Sequence, residues 1–571
     1  MIVRNEAHVI RENLDAVAPF INSWVIVDTG SNDGTQDLIR DHMARLDIPG
    51  ELHERPWRNF GENRTEALAL AQGHSDYIWV IDADDIIVGT PDFTEQSADA
   101  YLLRYRWADD TIFWRPQLFR DGLAWRYEGL VHENPVGEPG YTSERLEGEY
   151  HIEARSLGGR SQDPQKHARD RDLLLAEVER NPEDARALLH LARNYFDLGD
   201  FVNARKWCAR LVEMGGSTEG TYHAMLLLAE SMAELDTPWP DVQDAYLRAW
   251  EFRPTRAEPL YAIAQRHRVE ARYPLGHLFA QRAAKIPLPE SDALIARAAI
   301  YNWCATDEQA ICASWIGKHA EAFTLCRRLL ARPDIPDDDR RRIAVNRDFS
   351  VPAMLESASS YPDALVGVAA AGSGEPDVVV SLIAGPNRAT TEQTLNSFLN
   401  CCTDVSRVGR FLALDAGLST RDRSMLHKCY GFLEFAGAES GIEPAPIDGR
   451  FWLHLAQGSR FFAPENLITR LTAVLEAETR VFQVGINFAD ATQLTGACAS
   501  EQAVRRAPNA GRYVLTEVMA RGPAMFDTAL LSRAGSLERT GTVQIADLAR
   551  LSTAAGLLTA TLDEVLCITA R

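Results

Sequence analysis

Trp24-Val25-Ile26-Val27-Asp28-Thr29-Gly30-Ser31-Asn32-Asp33-Gly34-Thr35 is the stretch that decides the fold. An apolar run ending in an aspartate reads as a buried strand, and the polar, glycine-containing turn after it reads as the entry to a helix. Asp28 then stands at the C-terminal edge of a parallel sheet, where open α/β folds bind ligands. A carboxylate there can accept hydrogen bonds from a base N–H or from ribose hydroxyls. The plainer alternative is a helix N-cap at Ser31 or Asp33 with no ligand. Further β-rich runs stand at YIWVID (77–82), AYLLRYRW (100–107) and RPQLFR (115–120), with helical patterns near 33–46 and 61–72. Alternation of this kind predicts a mostly parallel sheet covered by helices. Only Ile2 and Val3 precede the turn at Arg4-Asn5-Glu6, so the chain is expected to start inside strand one.

Two more motifs share this region. Trp79-Val80-Ile81-Asp82-Ala83-Asp84-Asp85 ends a strand in three acids, which repel one another and cost desolvation unless a cation compensates. Asp-x-Asp at a strand end can present oxygens to a Mg²⁺ or Mn²⁺ that also bridges a diphosphate. Trp125-Arg126-Tyr127-Glu128-Gly129-Leu130-Val131-His132-Glu133 places a histidine beside an acid, able to complete a metal shell or to supply a base. Taken alone, His132 is better explained as a satisfied surface histidine.

Composition narrows the classes. At about 100–200 residues per domain, 571 residues predict about three to five domains. An apolar share of 46% excludes disorder as the dominant state. The 81 acidic against 59 basic residues, a net charge of −22, argue against a nucleic-acid or anionic-membrane surface. Nine cysteines without a Cys-x-x-Cys read as reduced thiols, hence a cytoplasmic protein. No apolar run approaches the ~20 residues that span a bilayer, so membrane association is expected to be peripheral at most.

From about 165 to 348 the texture is helical, with no strand-like run. Gly199-x-Phe201-x-x-Ala204-x-x-x-Cys208 recurs as Gly317-x-His319-x-x-Ala322-x-x-x-Cys326, and Tyr246 and Ala249 reappear as Ala280 and Ala283. A period of about 34 residues with small residues at helix crossings resembles tetratricopeptide repeats; the alternative is an irregular helical bundle. Residues 350–376, rich in Ser, Ala, Gly and Pro, read as a linker. α/β texture returns over 377–571 in the order of the first domain, with Leu414-Asp415-Ala416-Gly417 standing where Val27-Asp28-Thr29-Gly30 stands. Where Asp-x-Asp is expected, however, the chain reads His454-Leu455-Ala456-Gln457-Gly458.

Taken in order, MIVRNEAHVIRENL, WVIVDTGSNDGT, ERPWRNFGENRTEAL, YIWVIDADD and WRYEGLVHENPV resemble the inverting family 2 glycosyltransferases of GT-A fold. The resemblance extends to a bacterial subgroup with a Val-His-Glu element, often fused to tetratricopeptide repeats. That subgroup includes lipopolysaccharide-core glucosyltransferases and enzymes that glycosylate bacteriocin peptides. The resemblance implies donor-binding roles for Glu6, Asp28, Arg64 and Asp82, with Glu6 and Asp28 on the uracil and ribose of a UDP-sugar. It implies metal ligation by Asp84 and His132, with Mn²⁺ or Mg²⁺ as cofactor. The base that takes the acceptor proton is assigned to Glu133, with Asp110 or Asp109 as runner-up.

The expected architecture is multidomain: an α/β GT-A (Rossmann-like) catalytic domain over 1–155, tetratricopeptide-like helical repeats over 165–348, a linker over 350–376, and a second, degenerate GT-A-like α/β domain over 377–571, read as non-catalytic. The expected function is metal-dependent transfer of a sugar from a UDP-sugar to a peptide or protein side chain or to a glycan. The repeats leave room for a homodimer contact. The alternative is a non-enzymatic tetratricopeptide scaffold whose transferase domain is inactive.

Overall fold

A computed structural model describes residues 1–107, 111–289, 295–371, 377–385, 387–436, 449–488, 494, 496–533 and 555–569. The chain forms two compact units, Met1–Ala305 and Thr306–Arg571. It is multidomain, with a mixed α/β N-terminal region, a helical repeat region and further α/β sheet. Among the described residues, no helix is long and apolar enough to cross a membrane.

The first unit opens with β1 (Ile2–Val3), α1 (Ile10–Val17), β2 (Trp24–Asp28), α2 (Thr35–Arg45), β3 (Gly50–Glu54), α3 (Phe60–Ala71) and β4 (Tyr77–Trp79). β2 forms where the apolar run predicts it, with Ile26 and Val27 buried. Parallel pairing sets Val3 opposite Asp28 and Asp28 opposite Glu54, so β1, β2 and β3 end on one edge. Then come β5 (Ile86–Pro91), β6 (Ala100–Arg106), β7 (Thr111–Arg120), β8 (Arg126–Glu128), β9 (Asn134–Val136), β10 (Ser143–Arg145) and β11 (Gly148–Glu153). The long β7 pairs antiparallel with both β4 and β6. No hydrogen-bonded ladder joins β1 to β4 among the described residues. Between them, under α1 and α3, lies a cavity of about 310 Å³ lined by Ile2, Leu14, Val25, Leu68, Ile78 and Trp79, among others.

Helices continue the unit: α4 (Lys166–Arg180), α5 (Ala185–Asp197), α6 (Phe201–Met214), α7 (Thr218–Glu234), α8 (Trp239–Phe252), α9 (Glu258–Val269) and α10 (Tyr273–Ala283). Gly199 takes a left-handed φ of 75° between α5 and α6, which a residue without Cβ does at little cost. Ala192 and Ala204 are fully buried and let those helices approach closely. The expectation of a purely helical stretch is corrected by β12 (Ile295–Arg297), which pairs antiparallel with Thr111–Phe113 at the edge of the β7 sheet.

In the second unit, α11 (Ala305–Trp315), α12 (His319–Leu330) and α13 (Asp337–Phe349) precede α14 (Val351–Ala358) and α15 (Asp363–Ala370). The linker reading of 350–376 is therefore corrected over its described part. Its alanines and valines make helices, and Val351, Met354, Leu355, Ala358 and Ala369 join the hydrophobic core of this unit. Next come β13 (Val378–Ala384), α16 (Arg388–Cys401), β14 (Arg410–Asp415), α17 (Thr420–Cys429), β15 (Leu433–Ala436), β16 (Phe451–Leu455), β17 (Ser459–Phe461), α18 (Leu467–Ala477) and β18 (Val481–Gly485). The last strands are β19 (Arg505–Ala507), β20 (Gly511–Thr516), β21 (Ala524–Asp527), β22 (Leu558–Leu562) and β23 (Cys567–Thr569).

The sheet order is β15-β14-β13-β16-β21-β18-β22-β20-β19. β15, β14, β13 and β16 are parallel, and β21 runs antiparallel to β16 and β18. The first unit has the same plan: β3-β2-β1, then β4-β7-β6 with β7 antiparallel to both neighbours. The two plans differ where β13 pairs directly with β16 and β1 does not pair with β4.

Candidate active site

The carboxyl ends of β1 and β2 frame a crevice at which three of the expected site residues stand. Asp28 is 1% exposed. Its Oδ1 accepts from the Gly30 and Ser31 amides and from Gln36 Nε2, each at 2.9 Å. Burial works against ionisation, but these hydrogen bonds outweigh it and hold the carboxyl below its usual range. Oδ2 is buried with no partner. An orphaned carboxylate oxygen costs free energy unless a donor reaches it, and Asp28 ends β2 at the carboxyl edge of the parallel strands, where open α/β folds bind ligands. The N-cap alternative therefore accounts for only half of this carboxylate.

Glu6 follows β1 in a turn that Asn5 enters with a left-handed φ of 59°. Burial pushes the Glu6 carboxyl up to about 7; the Gly159 amide opposes the rise and nearby Asp84 adds to it. Asp84 accepts from the Gly158 amide at 2.7 Å. The segment Arg155–Arg160 therefore lies across the two acids as a strap. Arg155 Nε donates to the Asp84 carbonyl at 2.9 Å.

Asp82 is engaged differently. Arg64 donates to it, and Arg115 Nη1 donates to its Oδ2 at 3.3 Å. Arg64 also donates to Glu133. Asn59 caps α3 by accepting the Glu62 amide at 2.8 Å, which fixes the turn that carries Arg64. Burial would raise the Asp82 pKa, but the two guanidinium groups overcome it and hold the carboxyl far below its usual range. Asp85 is the opposite case: buried, with Oδ2 unpartnered and Asp82 nearby, its carboxyl is pushed well up. Asn13, fully buried on α1, holds this turn by donating to the carbonyls of Asp82 at 3.0 Å and Asp85 at 2.7 Å.

His132 has a left-handed φ of 52° and stacks on His190 of α5, with ring centroids 4.5 Å apart and planes 6° apart. Desolvation lowers the pKa of both rings, that of His190 further, because His132 also opposes its charge. Arg186, also on α5, donates to the His132 carbonyl and, at 3.4 Å, to the Glu128 carbonyl. A Cβ at Gly129 would stand 2.6 Å from Arg186 Nη2, so this guanidinium seats only over a glycine. Val131 shares one hydrophobic cluster with Leu174, Val178, Leu188 and Leu191 of α4 and α5.

The structure thus brings Glu6, Asp28 and Asp84 to one crevice and links Asp82 to Glu133 through Arg64. Two expectations change. Arg64 is spent on two carboxylates rather than offered to a sugar or diphosphate. Glu133 is engaged by the buried Arg64 guanidinium, so its carboxylate is occupied in fixing Arg64 rather than turned to an acceptor. Asp109 and Asp110 lie outside the described residues. Among the described residues, Asp84 and His132 belong to no group of three or more His, Cys, Asp or Glu side chains arranged to hold a metal. The donor set still suits a cation that takes one or two carboxylates and completes its shell with water and substrate phosphates, as Mg²⁺ does.

Sequence reasoning missed Arg115, His190, Arg186 and the strap glycines. Arg115 was legible in part: a cation inside the strand Thr111–Arg120 needs a partner. The adjacent pair Gly158-Gly159 was a further signal, since paired glycines mark close backbone approach. Nothing in the pattern of α5 sets His190 apart.

The second unit repeats the Asp28 geometry. Asp415 stands opposite Ala384, the last residue of β13, and accepts from the Gly417 amide at 3.0 Å and the Leu418 amide at 2.9 Å. Its Oδ2, the counterpart of the orphaned oxygen, is paired with Arg423. Arg423 lies as far after Asp415 as Gln36 lies after Asp28. At the end of β16, His454 replaces the acids; its Nδ1 bonds Ser381 Oγ at 2.9 Å, and that hydroxyl accepts from Trp452 Nε1 at 2.8 Å.

Residues 1–96 match the family described as Glycosyl transferase family 2. Over 304 residues the chain is 27% identical to a TPR repeat-containing protein of Synechococcus elongatus, covering 49% of this chain and 70% of that protein. Among solved structures, MamA matches at 15% identity and a TM-score of 0.23, over 29% of this chain and 91% of that one. YrrB, described as a TPR protein with an unusual peptide-binding site, matches at 14% identity and a TM-score of 0.25, over 32% of this chain and 84% of that one. The chain carries a glycosyl transferase family 2 domain in its first 96 residues, with a TPR-like helical region elsewhere in the chain.

Proposed function

We propose that this chain is a glycosyltransferase that moves a sugar from a nucleotide-sugar donor, a UDP-sugar, to a peptide or protein side chain or to a glycan. The observation that carries the reading is Asp28, a buried carboxylate with one oxygen unsatisfied at the carboxyl edge of a parallel sheet, inside the stretch that matches the transferase family. Asp28 Oδ2 would accept from the base or ribose of the donor, and Glu6 would complete that contact. Asp84, with His132 as second ligand, would hold Mn²⁺ or Mg²⁺, which neutralises charge developing on the departing diphosphate. Asp82 acts from behind: clamped by Arg64 and Arg115, it keeps the acidic turn rigid. Inverting transfer needs a base on the face opposite the leaving group. With Glu133 committed to Arg64, Asp110 is the acid we assign to that role.

The helical region supports a peptide or protein acceptor, because stacked helix pairs present a concave surface suited to an extended chain. A second reading, a repeat scaffold with an inactive transferase domain, is favoured by the TPR name of the Synechococcus relative. The intact Asp28, Asp82 and Asp84 weigh against it. Thermal shift of the purified chain against UDP, GDP, CMP and ADP, with and without Mn²⁺, decides between the two. A Mn²⁺-dependent rise with UDP alone supports the transferase, because ligand binding to the folded state raises the midpoint by mass action. No rise with any nucleotide favours the scaffold.

A further inference from the structure

The strap Arg155–Arg160 covers the crevice with hydrogen-bond donors. The Gly158 amide lies 2.7 Å from Asp84 Oδ2, and the Gly159 amide lies 3.3 Å from both Glu6 oxygens. The approach is tight at both glycines: a Cβ at Gly158 would stand 3.2–3.3 Å from the Glu6 and Asp84 oxygens, and one at Gly159 would stand 3.2 Å from the Asn5 carbonyl, so a side chain at either would push the strap and the acids apart. The flanks are anchored. His8 Nε2 bonds the Leu157 carbonyl at 2.9 Å, Arg155 grips the Asp84 carbonyl at 2.9 Å, and Ser156 turns the chain with a left-handed φ of 52°.

Amides only donate and ionised carboxylates only accept. The two sets therefore satisfy each other here, and each is also complementary to one half of a cation–diphosphate pair. Carboxylates suit the cation, and converging backbone N–H groups suit phosphate oxygens. We propose that Gly158 and Gly159 are diphosphate-binding residues of the donor site, whose amides exchange Asp84 and Glu6 for phosphate oxygens when a nucleoside diphosphate enters. The inference rests on the transferase reading and deepens it. It makes the strap a cover for the two acids and a part of the donor site, since no group loses a partner without gaining another.

Calorimetry with UDP and with uridine, each with Mn²⁺, tests this on the full chain and on Gly158→Ala and Gly159→Ala. Loss of the amide contacts should weaken UDP by at least about tenfold and leave uridine unchanged, because uridine lacks the phosphates. Amide hydrogen exchange supplies a readout that needs no turnover. UDP with Mn²⁺ should slow exchange at residues 158 and 159 below its rate in the free protein, and uridine should not. Unchanged UDP affinity in both variants, or equal losses for UDP and uridine in variants with wild-type melting points, overturns the inference alone. Failure of the wild type to bind any nucleoside diphosphate overturns the transferase reading, and this inference with it.

Discussion

Arg64 is 6% exposed and joins two carboxylates on different segments, Asp82 and Glu133. Removing one partner of a buried ion pair leaves charge uncompensated, which typically costs about 3–5 kcal/mol. Arg64→Ala should therefore lower the stability of the first unit by roughly that amount in urea denaturation, well beyond the loss of a surface ion pair. Asp84 and Asp415 give the sharper contrast in function. Asp84→Asn should abolish metal-dependent hydrolysis of a UDP-sugar, whereas Asp415→Asn should leave its rate unchanged. Equal losses would show that the second unit also turns over donor. The residues legible in the sequence are those whose chemistry is local. Asp28 is announced by the strand before it and the turn after it, and Asp82 and Asp84 by the strand they end. Arg64 illustrates the limit. Its spacing on α3 is visible, but which carboxylates it meets depends on β7 and on the 129–133 loop, far away in the sequence.

At the scale of elements, α5 belongs to the repeat region yet holds the loop that carries His132 and Glu133. Arg186 caps the carbonyls of Glu128 and His132, and His190 covers the His132 ring. Arg186→Ala combined with His190→Ala should speed amide exchange at residues 130–133 by about tenfold or more, with the α6–α10 helices unaffected, since local opening follows the loss of local contacts. His190→Tyr, which restores a ring face, should recover most of the protection. In the second unit, His454 belongs to a chain of hydrogen bonds linking β13 and β16. It is 6% exposed, and burial lowers its pKa from 6.5 to about 4. The unfolded chain takes up this proton first as pH falls. The stability tied to neutral His454 is thus complete above pH 6.5 and lost between there and pH 4, by about 3 kcal/mol. Urea midpoints at pH 7.5 and pH 4.5 should differ less in His454→Gln than in the wild type. Many strand and helix positions were legible from periodicity in both units, though β3, β5, β9 to β12 and β19 to β23 were not. The helices over 350–370 were not, because a stretch rich in Ser, Ala and Gly looks like a linker until the core beneath it supplies the partners for Val351, Met354 and Leu355.

At the scale of the whole chain, two α/β sheets share one strand plan and differ in what their matched carboxylates meet. Asp28 keeps an oxygen free and Asp415 gives its own to Arg423. The parallel was readable in the order of strands and in the two Asp-x-Gly turns. What sets the second apart was readable only in part, from the missing acids near His454; the guanidinium that pairs with Asp415 needed the fold. The plans also part at β1 and β4, where the first unit has a partly open pocket of about 310 Å³ instead of a ladder. Space inside a folded protein is volume that disappears when water reaches it, so hydrostatic pressure favours the unfolded form in proportion to such voids. The first unit is accordingly expected to be soft to pressure, unfolding under compression with a large volume decrease that tryptophan fluorescence at Trp24 and Trp79 can follow. Ala67→Leu, placed on the wall of that space, should shrink the decrease and raise the pressure at which the unit gives way.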